Sequence, residues 1–554
     1  MCCSNRKKSI LFFCFPLIFS HFSSFAKDDV APAVTISQNT LPDCAKKESN
    51  VVFQPEPIFD ENQDGIYFFH RWANWLHIKT KVKTLENEAA FFLTECNKNK
   101  QDLDELERHL RTKKYLRDAR VFYKKNDQHI YVQTWDNWSL LPTASFGRKG
   151  GKNNFSWGVK ERNLLGLGVY ARVEAFSDDQ RSGNRIISSV PLFQKHNIDL
   201  NFIFANNDDG QQKSIFLEKD FVSFHSDYAY TLGFNDEKRV DTIFQNGTDQ
   251  AKFIHNINVK NIGFAWLKQN TEHYAVHYSV GFTQDEHNFN AFDNGINILP
   301  SQQLPQNRAL LYPWFGYEYI EKDFKKLTNI HLITQIEDFN NGWQIKTKIG
   351  LGNGNQKNAA STILQANVSK GYAFDKALFL LNFKFRNENY KTNDDRFYAT
   401  LKSELFYPLS DQWVFYLRNI DTVSKNQYID TPIAMGGDTG IRGFPLEYQQ
   451  GKNSINLTSE LRYYPHINLF KLVDLAAAAF IDTGKAFGRS NIEQIENIEN
   501  IENGWLYSAG IGARLYSPHS SKEHQIIHID LAFPISNNTA INKAELRLQL
   551  SNSF

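Results

Sequence analysis

The sequence predicts a transmembrane antiparallel β-barrel of 16 strands, preceded by one small α+β domain. Three observations predict it. The chain opens with a short basic-then-apolar leader; residues 62–140 mix helix and strand patterns; and residues 141–554 alternate apolar with polar side chains, without a run long enough for a membrane helix. At 554 residues the chain exceeds one ordinary domain. With 14% Phe, Tyr and Trp and 22% charged residues, extended disorder is excluded as its general state. The formal net charge is +1, and loss of Arg6, Lys7 and Lys8 with the leader takes it to −2, so no nucleic-acid footprint is present. A mean hydropathy of −0.48 excludes a bundle of many helical spans. A barrel escapes that exclusion, because half of each strand faces its lumen.

Arg6, Lys7 and Lys8 precede an apolar run, Ile10 to Phe19, and small residues follow at Ser24 and Ala26. This reads as a secretory signal peptide over residues 1–26; the alternative is a membrane anchor, for which the run is short. Cys2, Cys3 and Cys14 leave with it. Cys44 and Cys96 remain, an even number in an exported chain, and either pair as a disulfide or stay as free thiols. Two cysteines without convergent histidines do not make a metal site, and no metal is expected.

Residues 27–61, polar and containing four prolines, read as a linker. In residues 62–140, Trp72 to Thr80 suits a strand, and Thr84 can cap a helix with Leu85, Ala89 and Phe92 on one face. A second helix places Leu103, Leu106 and Leu110 together, with acidic residues near its start. Strands follow from Ala119 and from His129. Strand-helix-helix-strand-strand in an exported chain resembles a POTRA domain. The resemblance implies a periplasmic unit that receives unfolded or partly folded polypeptide by strand addition at an open sheet edge. The alternative is a structural spacer.

The remainder, residues 141–554, is expected to form the barrel. Phe155, Trp157 and Val159 oppose Ser156 and Lys160; Ile455, Leu457 and Leu461 oppose Asn456, Thr458, Glu460 and Arg462; Tyr507 to Leu515 alternates in the same way. Period two suits a soluble sandwich as well. The leader, the number of long strands and the aromatic content favour a barrel, the β architecture that satisfies its backbone in lipid. Sixteen strands would leave roughly 26 residues per strand and connection. The final five are placed at 453–464, 472–483, 504–516, 525–534 and 543–554; upstream of 435 there are more candidate runs than the eleven needed, and the surplus reads as loop hairpins or strand extensions.

Two blocks narrow the class. Trp138 to Pro142, then Ser145-Phe146-Gly147, Gly150-Gly151 and Asn163-Leu164-Leu165-Gly166-Leu167-Gly168, resemble the junction and opening hairpin of BamA/TamA-type outer-membrane assembly and translocation barrels. Gly436-Gly437-Asp438-Thr439-Gly440-Ile441-Arg442-Gly443-Phe444 resembles the loop-six signature of that superfamily, with Ile441 where Val is usual. The resemblance implies an extracellular loop folded back into the lumen, with Arg442 on a strand carboxylate. Asp482, in Phe480-Ile481-Asp482-Thr483-Gly484, is the matching acid, and a guanidinium and a carboxylate suit a directional buried pair. The alternative is a glycine-rich surface loop. Leu546, Leu548 and Leu550 alternate toward a terminal Phe554, similar to the signal by which barrel precursors are recognised.

No catalytic motif stands out: Gly147 to Asn153 lacks phosphate-loop spacing, no G-x-S-x-G or H-E-x-x-H occurs, and the 16 histidines are scattered. No enzyme activity and no cofactor is expected. The resemblance implies outer-membrane insertion or translocation of polypeptide, with lipid, client polypeptide and periplasmic accessory proteins as partners. One alternative is a dedicated secretion pore similar to two-partner transporters of the FhaC/ShlB type; another is a surface antigen or structural barrel without transport. The resemblance also implies a weak seam between first and last strands, here about 142–148 against 543–554.

Overall fold

The computed structural model describes residues 51–554, apart from 63–64, 95–98, 125–128, 246, 293–303, 353–359, 375, 391–394, 489–503, 520–525, 537, 539–540 and 552–553. The leader, Cys44 and Cys96 lie outside the described residues.

The small domain has a three-stranded sheet. Val51–Glu56 runs parallel to His129–Asp136, which pairs antiparallel with the edge strand Leu116–Lys124. Its first strand therefore comes from the stretch read as a linker; an edge position tolerates Pro55. The segment expected as a strand from Trp72 is instead part of a helix, Phe68–Leu76, which buries His70 and Ala73 and exposes Trp72 and Trp75. Helices Val82–Glu88, Ala90–Thr94 and Lys100–Thr112 follow. Thr84 lies inside the first of these rather than capping it, and its hydroxyl donates to Gly166 O at 2.8 Å. Asn99 caps the long helix, accepting from the amides of Gln101 and Asp102. Leu85, Phe92, Leu103, Leu106, Leu110, Ala119 and Val132 form the core.

The barrel closes with 20 antiparallel strands, not 16. The excess lies before residue 435, where the expected long connections are short turns. Strands Leu140–Lys149 and Lys152–Leu164 are separated by Gly150-Gly151, and Ile198–Asn207 and Gly210–Lys219 by Asp208-Asp209. The final five strands are Asn453–Tyr463, Val473–Phe487, Leu506–Tyr516, Ile526–Ile535 and Glu545–Ser551.

The wall is apolar outside and polar inside. Phe155, Trp157 and Ile511 are 52%, 65% and 61% exposed, whereas Glu460, Arg462, Asp482, Arg514 and Asp530 are buried. A water-soluble sandwich would invert this, so the outward face matches a lipid-facing belt. Among the described residues no helix is long and apolar enough to cross a membrane.

The small domain docks on one end of the barrel. Asn163 donates to Thr80 Oγ1 (2.8 Å), Lys81 N–H to Gly166 O (3.1 Å), Asn87 to Gln194 (2.8 Å), and Gln101 to Glu272 O (3.1 Å). At this domain end a hairpin, Phe324–Thr328 with Ile336–Asn340, is inserted in the connection between strands Arg308–Glu321 and Gln344–Leu351, which pair directly with each other. Its tip enters the barrel: Leu332 and Ile333 pack on Val414, Tyr464, Ala476, Tyr516 and Ile526. Glu337 holds the tip by accepting the amides of Ile330, His331 and Leu332.

Candidate functional site

The loop between strands Trp413–Lys425 and Asn453–Tyr463 leaves from the far end and folds inward. Counting far-end connections over 20 strands makes it the eighth rather than the sixth, although five strands still follow it. Two glycines set its path. Gly440 and Gly443 have φ of +116° and +91°, a region that disfavours side chains, and a Cβ on Gly443 would lie 2.9 Å from Pro534 Cδ.

This path delivers Arg442 to Asp482. Nε donates to Oδ2 at 2.7 Å, Nη2 to Oδ1 at 2.8 Å, and the Arg442 amide to Oδ2 at 3.2 Å. Nη1 also donates to Glu460 at 2.9 Å, and the guanidinium carbon lies 3.4 Å from the Phe480 ring centroid. The arginine is thus held by two carboxylates and stacked on a ring. Phe444 packs with Met435, Ile441, Tyr448, Ala486, Leu506 and Ile541. Gly437 O accepts from Arg547 of the last strand (2.8 Å), and Asp438 accepts from the Glu447 amide (3.1 Å). Gly436 N–H donates to Thr439 Oγ1 at 2.7 Å, closing the turn.

The opening hairpin touches the same loop. Gly150 and Gly151 take φ of +57° and +79°, and a Cβ on Gly150 would strike Leu446 N at 2.6 Å. At the domain end, Asn163 accepts from Gly168 N–H (2.7 Å), and Gly166 and Gly168, with φ of +74° and +72°, sit against Lys79 O and the Tyr115 ring. These glycines let the turn approach the small domain closely.

Closure between the first and last strands is sparse. Among the described residues Leu140–Lys149 and Glu545–Ser551 share one registered pair, Leu548↔Arg148, while the next ladder runs from Ile526↔Ser551 to Ala532↔Glu545. Beyond that pair, the Gly151 amide donates to Glu545 at 2.8 Å. Leu546 and Leu550 face outward, but Phe554 does not continue them. It is 5% exposed and turned inward, its ring 5.1 Å from that of Tyr464 and its amide donating to His331 O at 2.9 Å.

Sequence reasoning missed Glu460, Arg462, Phe480, Glu545 and Arg547 as members of this site. Their signal was position: each is charged or aromatic at an inward point of an alternating strand. Arg462 bonds Glu460 at 2.9 Å and stacks on Tyr416 and Phe554, joining the Arg442 pair to the C-terminus. A polar cavity of about 530 Å³ lies between loop and hairpin tip, bordered by His331, Arg418, Arg442, His528, Asp530 and Arg547.

No family model matches the chain, and no curated protein matches it. Among solved structures it is similar to CdiB from Escherichia coli, at 12% identity over 85% of this chain and 74% of that one, with a TM-score of 0.47. CdiB from Acinetobacter baumannii is similar at 12% identity over 86% and 72% (TM-score 0.43). BamA from Haemophilus ducreyi lacking POTRA domains 1–3 is similar at 12% over 85% and 81% (TM-score 0.39).

Proposed function

We propose that this chain is an outer-membrane protein that inserts or translocates polypeptide, with its small domain in the periplasm and its far end at the cell surface. The observation that carries the reading is the sparse closure at Leu548↔Arg148, the one registered pair between first and last strands among the described residues. An unpaired strand edge in a lipid-facing wall is costly unless something completes it, and an extended client segment completes it by main-chain hydrogen bonds alone. No nucleotide is needed for that exchange.

The arrangement corresponds to a resting state closed from both ends. The loop bearing Arg442 occupies the far half of the lumen and the hairpin tip the domain half. The small domain is positioned to control the latter: Arg111 holds Asp338 (2.7 Å) and Glu107 pairs with Lys326, both on the hairpin. The same two side chains occupy the sheet edge, Glu107 accepting the Val121 amide (2.9 Å) and Arg111 donating to Ala119 O (3.1 Å). A client strand pairing with this edge would displace them and free the hairpin.

The test is a lock. Arg148→Cys with Leu548→Cys, in a Cys44→Ser, Cys96→Ser background, places thiols on opposed positions of an antiparallel pair. Oxidation should deplete outer-membrane proteins if the chain inserts clients, or secreted proteins if it exports them, and reductant should restore them. Unchanged envelope and secreted fractions in a strain carrying the locked form would instead mark a structural or antigenic barrel.

A further inference from the structure

The three longest strands, Tyr228–Gln245, Thr248–Asn270 and Tyr274–Ala291, run far past the roughly ten residues a barrel strand needs to cross lipid. Their far-end extensions close over Ile243, Ala251, Phe253 and Phe289, against which Ile429 of the inward-folded loop packs. Within this extension the topology joins two histidines that stand 32 residues apart in the chain. His255 Nε2 lies 2.8 Å from His287 Nδ1. The other nitrogen of each ring is bound to a carboxylate: His255 Nδ1 to Asp241 at 2.7 Å, His287 Nε2 to Asp285 at 2.9 Å. The Asp430 carboxylate completes a group whose ligand atoms lie within 4.8 Å of one another.

This pattern has a chemical consequence. If each imidazole donates its proton to its own aspartate, the two facing nitrogens both present lone pairs at 2.8 Å, which repel. Something positive must sit between or beside them: a shared proton or a metal ion. A carboxylate behind each ring is the arrangement that fixes tautomer and raises basicity in metal-binding histidines. Arg308 holds Asp430 from one side, with bonds of 2.9 and 2.8 Å, which orients the carboxylate while each oxygen keeps acceptor capacity. His255, His287 and Asp430 have side chains 2%, 16% and 1% exposed, so the group is shielded, and a tetrahedral ion would part the two nitrogens to about 3.3 Å. A cavity of about 440 Å³ bordered by Asp285, His287, Arg308 and Tyr428 provides an approach.

We propose that His255 Nε2, His287 Nδ1 and an Asp430 oxygen bind one divalent transition-metal ion of the zinc class, with water in the remaining position. Two imidazoles and one carboxylate are a nitrogen-rich set that favours such an ion over calcium or magnesium. The ion clamps the start of the Arg442 loop to two wall strands, so its binding holds the far end closed. The second acidic group with a histidine, Asp102, Glu105 and His225, differs: Asp102 already accepts the Asn99 amide at 2.7 Å and Glu105 the Phe224 amide at 2.7 Å, so both acids serve the fold.

The test uses the full chain, purified in detergent, stripped with chelator and titrated with Zn²⁺, then with Co²⁺ for its ligand-field spectrum. One ion per chain should bind at micromolar concentration, with four-coordinate Co²⁺ absorption and slower proteolysis of the 426–452 loop. His255→Asn combined with His287→Asn should abolish uptake, and His225→Asn should leave it intact. Heat-modifiable gel mobility reports whether each barrel is folded. Should the double variant not fold, Asp241→Asn and Asp285→Asn decide, each weakening affinity about 10- to 100-fold. A folded wild type that takes up no ion, leaving a shared proton only, overturns the proposal. So does uptake indifferent to all four substitutions.

Discussion

Arg442 and Asp482 form a two-armed fork inside the barrel, with arms of 2.7 and 2.8 Å and Glu460 on the remaining nitrogen at 2.9 Å. Removing Arg442 leaves the Asp482 carboxylate buried without its cation, and removing Asp482 leaves Arg442 to share Glu460 with Arg462; breaking such a buried pair costs about 3–5 kcal/mol. Arg442→Ala and Asp482→Ala should therefore each release the loop, seen as faster proteolysis within 426–452 of the folded, detergent-solubilised protein. The double substitution should cost less than the two singles added, with a coupling of about 1–3 kcal/mol in urea unfolding. Strict additivity would show that the loop is held by its apolar contacts at Phe444 instead.

Glu545 reaches across the closure to the Gly151 amide at 2.8 Å, next to the single registered pair of the seam. A charge-assisted bond of this kind contributes roughly 1.5–3 kcal/mol. Glu545→Ala should raise hydrogen exchange in strand Leu140–Lys149 while leaving Lys152–Leu164 slow on its Val169–Ser177 side. Equal exchange in variant and wild type would mean that closure depends on the Arg547–Gly437 contact and not on Glu545.

At the small domain, the edge expected to receive polypeptide is not open. The Val121 amide and the Ala119 carbonyl are already taken by Glu107 and Arg111, which also grip the hairpin through Lys326 and Asp338. Strand addition must first break these charge-assisted bonds, each contributing roughly 1.5–3 kcal/mol. Glu107→Ala with Arg111→Ala should strengthen binding of extended model peptides by about tenfold or more. The same variant should raise ion conductance in planar bilayers, because the hairpin tip loses its hold. Weaker peptide binding would place recognition on another surface.

How far this was legible varies along the chain for physical reasons. The last five strands stand out in the sequence because their inner faces carry charge and their outer faces do not, as at Glu460 and Arg462 against Leu461. Strands such as Tyr228–Gln245 run on beyond the lipid, where Asn235 to Arg239 are polar on both faces and period two fades. Two-residue turns such as Asp208-Asp209 then leave no mark in composition, so runs before residue 435 that form wall strands read from sequence as loop hairpins or strand extensions. The helix at Phe68–Leu76 was hidden by Trp72 and Trp75, which look like strand residues yet stay exposed. Arg442 and Asp482 were legible through a motif. Glu460 was legible only as half of an alternation, and the His255–His287 contact arises from strand register alone.

His519, in a domain-end turn of the barrel, gives the docking of the small domain a pH dependence. Arg117 Nη1 lies 2.7 Å from its Nδ1, and Phe59 packs on its ring at 4.4 Å. Burial, and then the charge of Arg117, push the imidazole down from its ordinary 6.5 to about 3. The docked state therefore excludes a proton that a released turn accepts. The His519 contribution to docking is complete above pH 6.5 and is lost as pH falls toward 3, by up to about 1.4 kcal/mol per unit. The Trp138 amide, which donates to His519 O at 2.8 Å, reports this directly. Its protection from exchange, corrected for intrinsic rate, should fall between pH 6.5 and 4.5 in the wild type. His519→Asn should flatten that profile; an unchanged slope would assign the acid response to other groups at the junction.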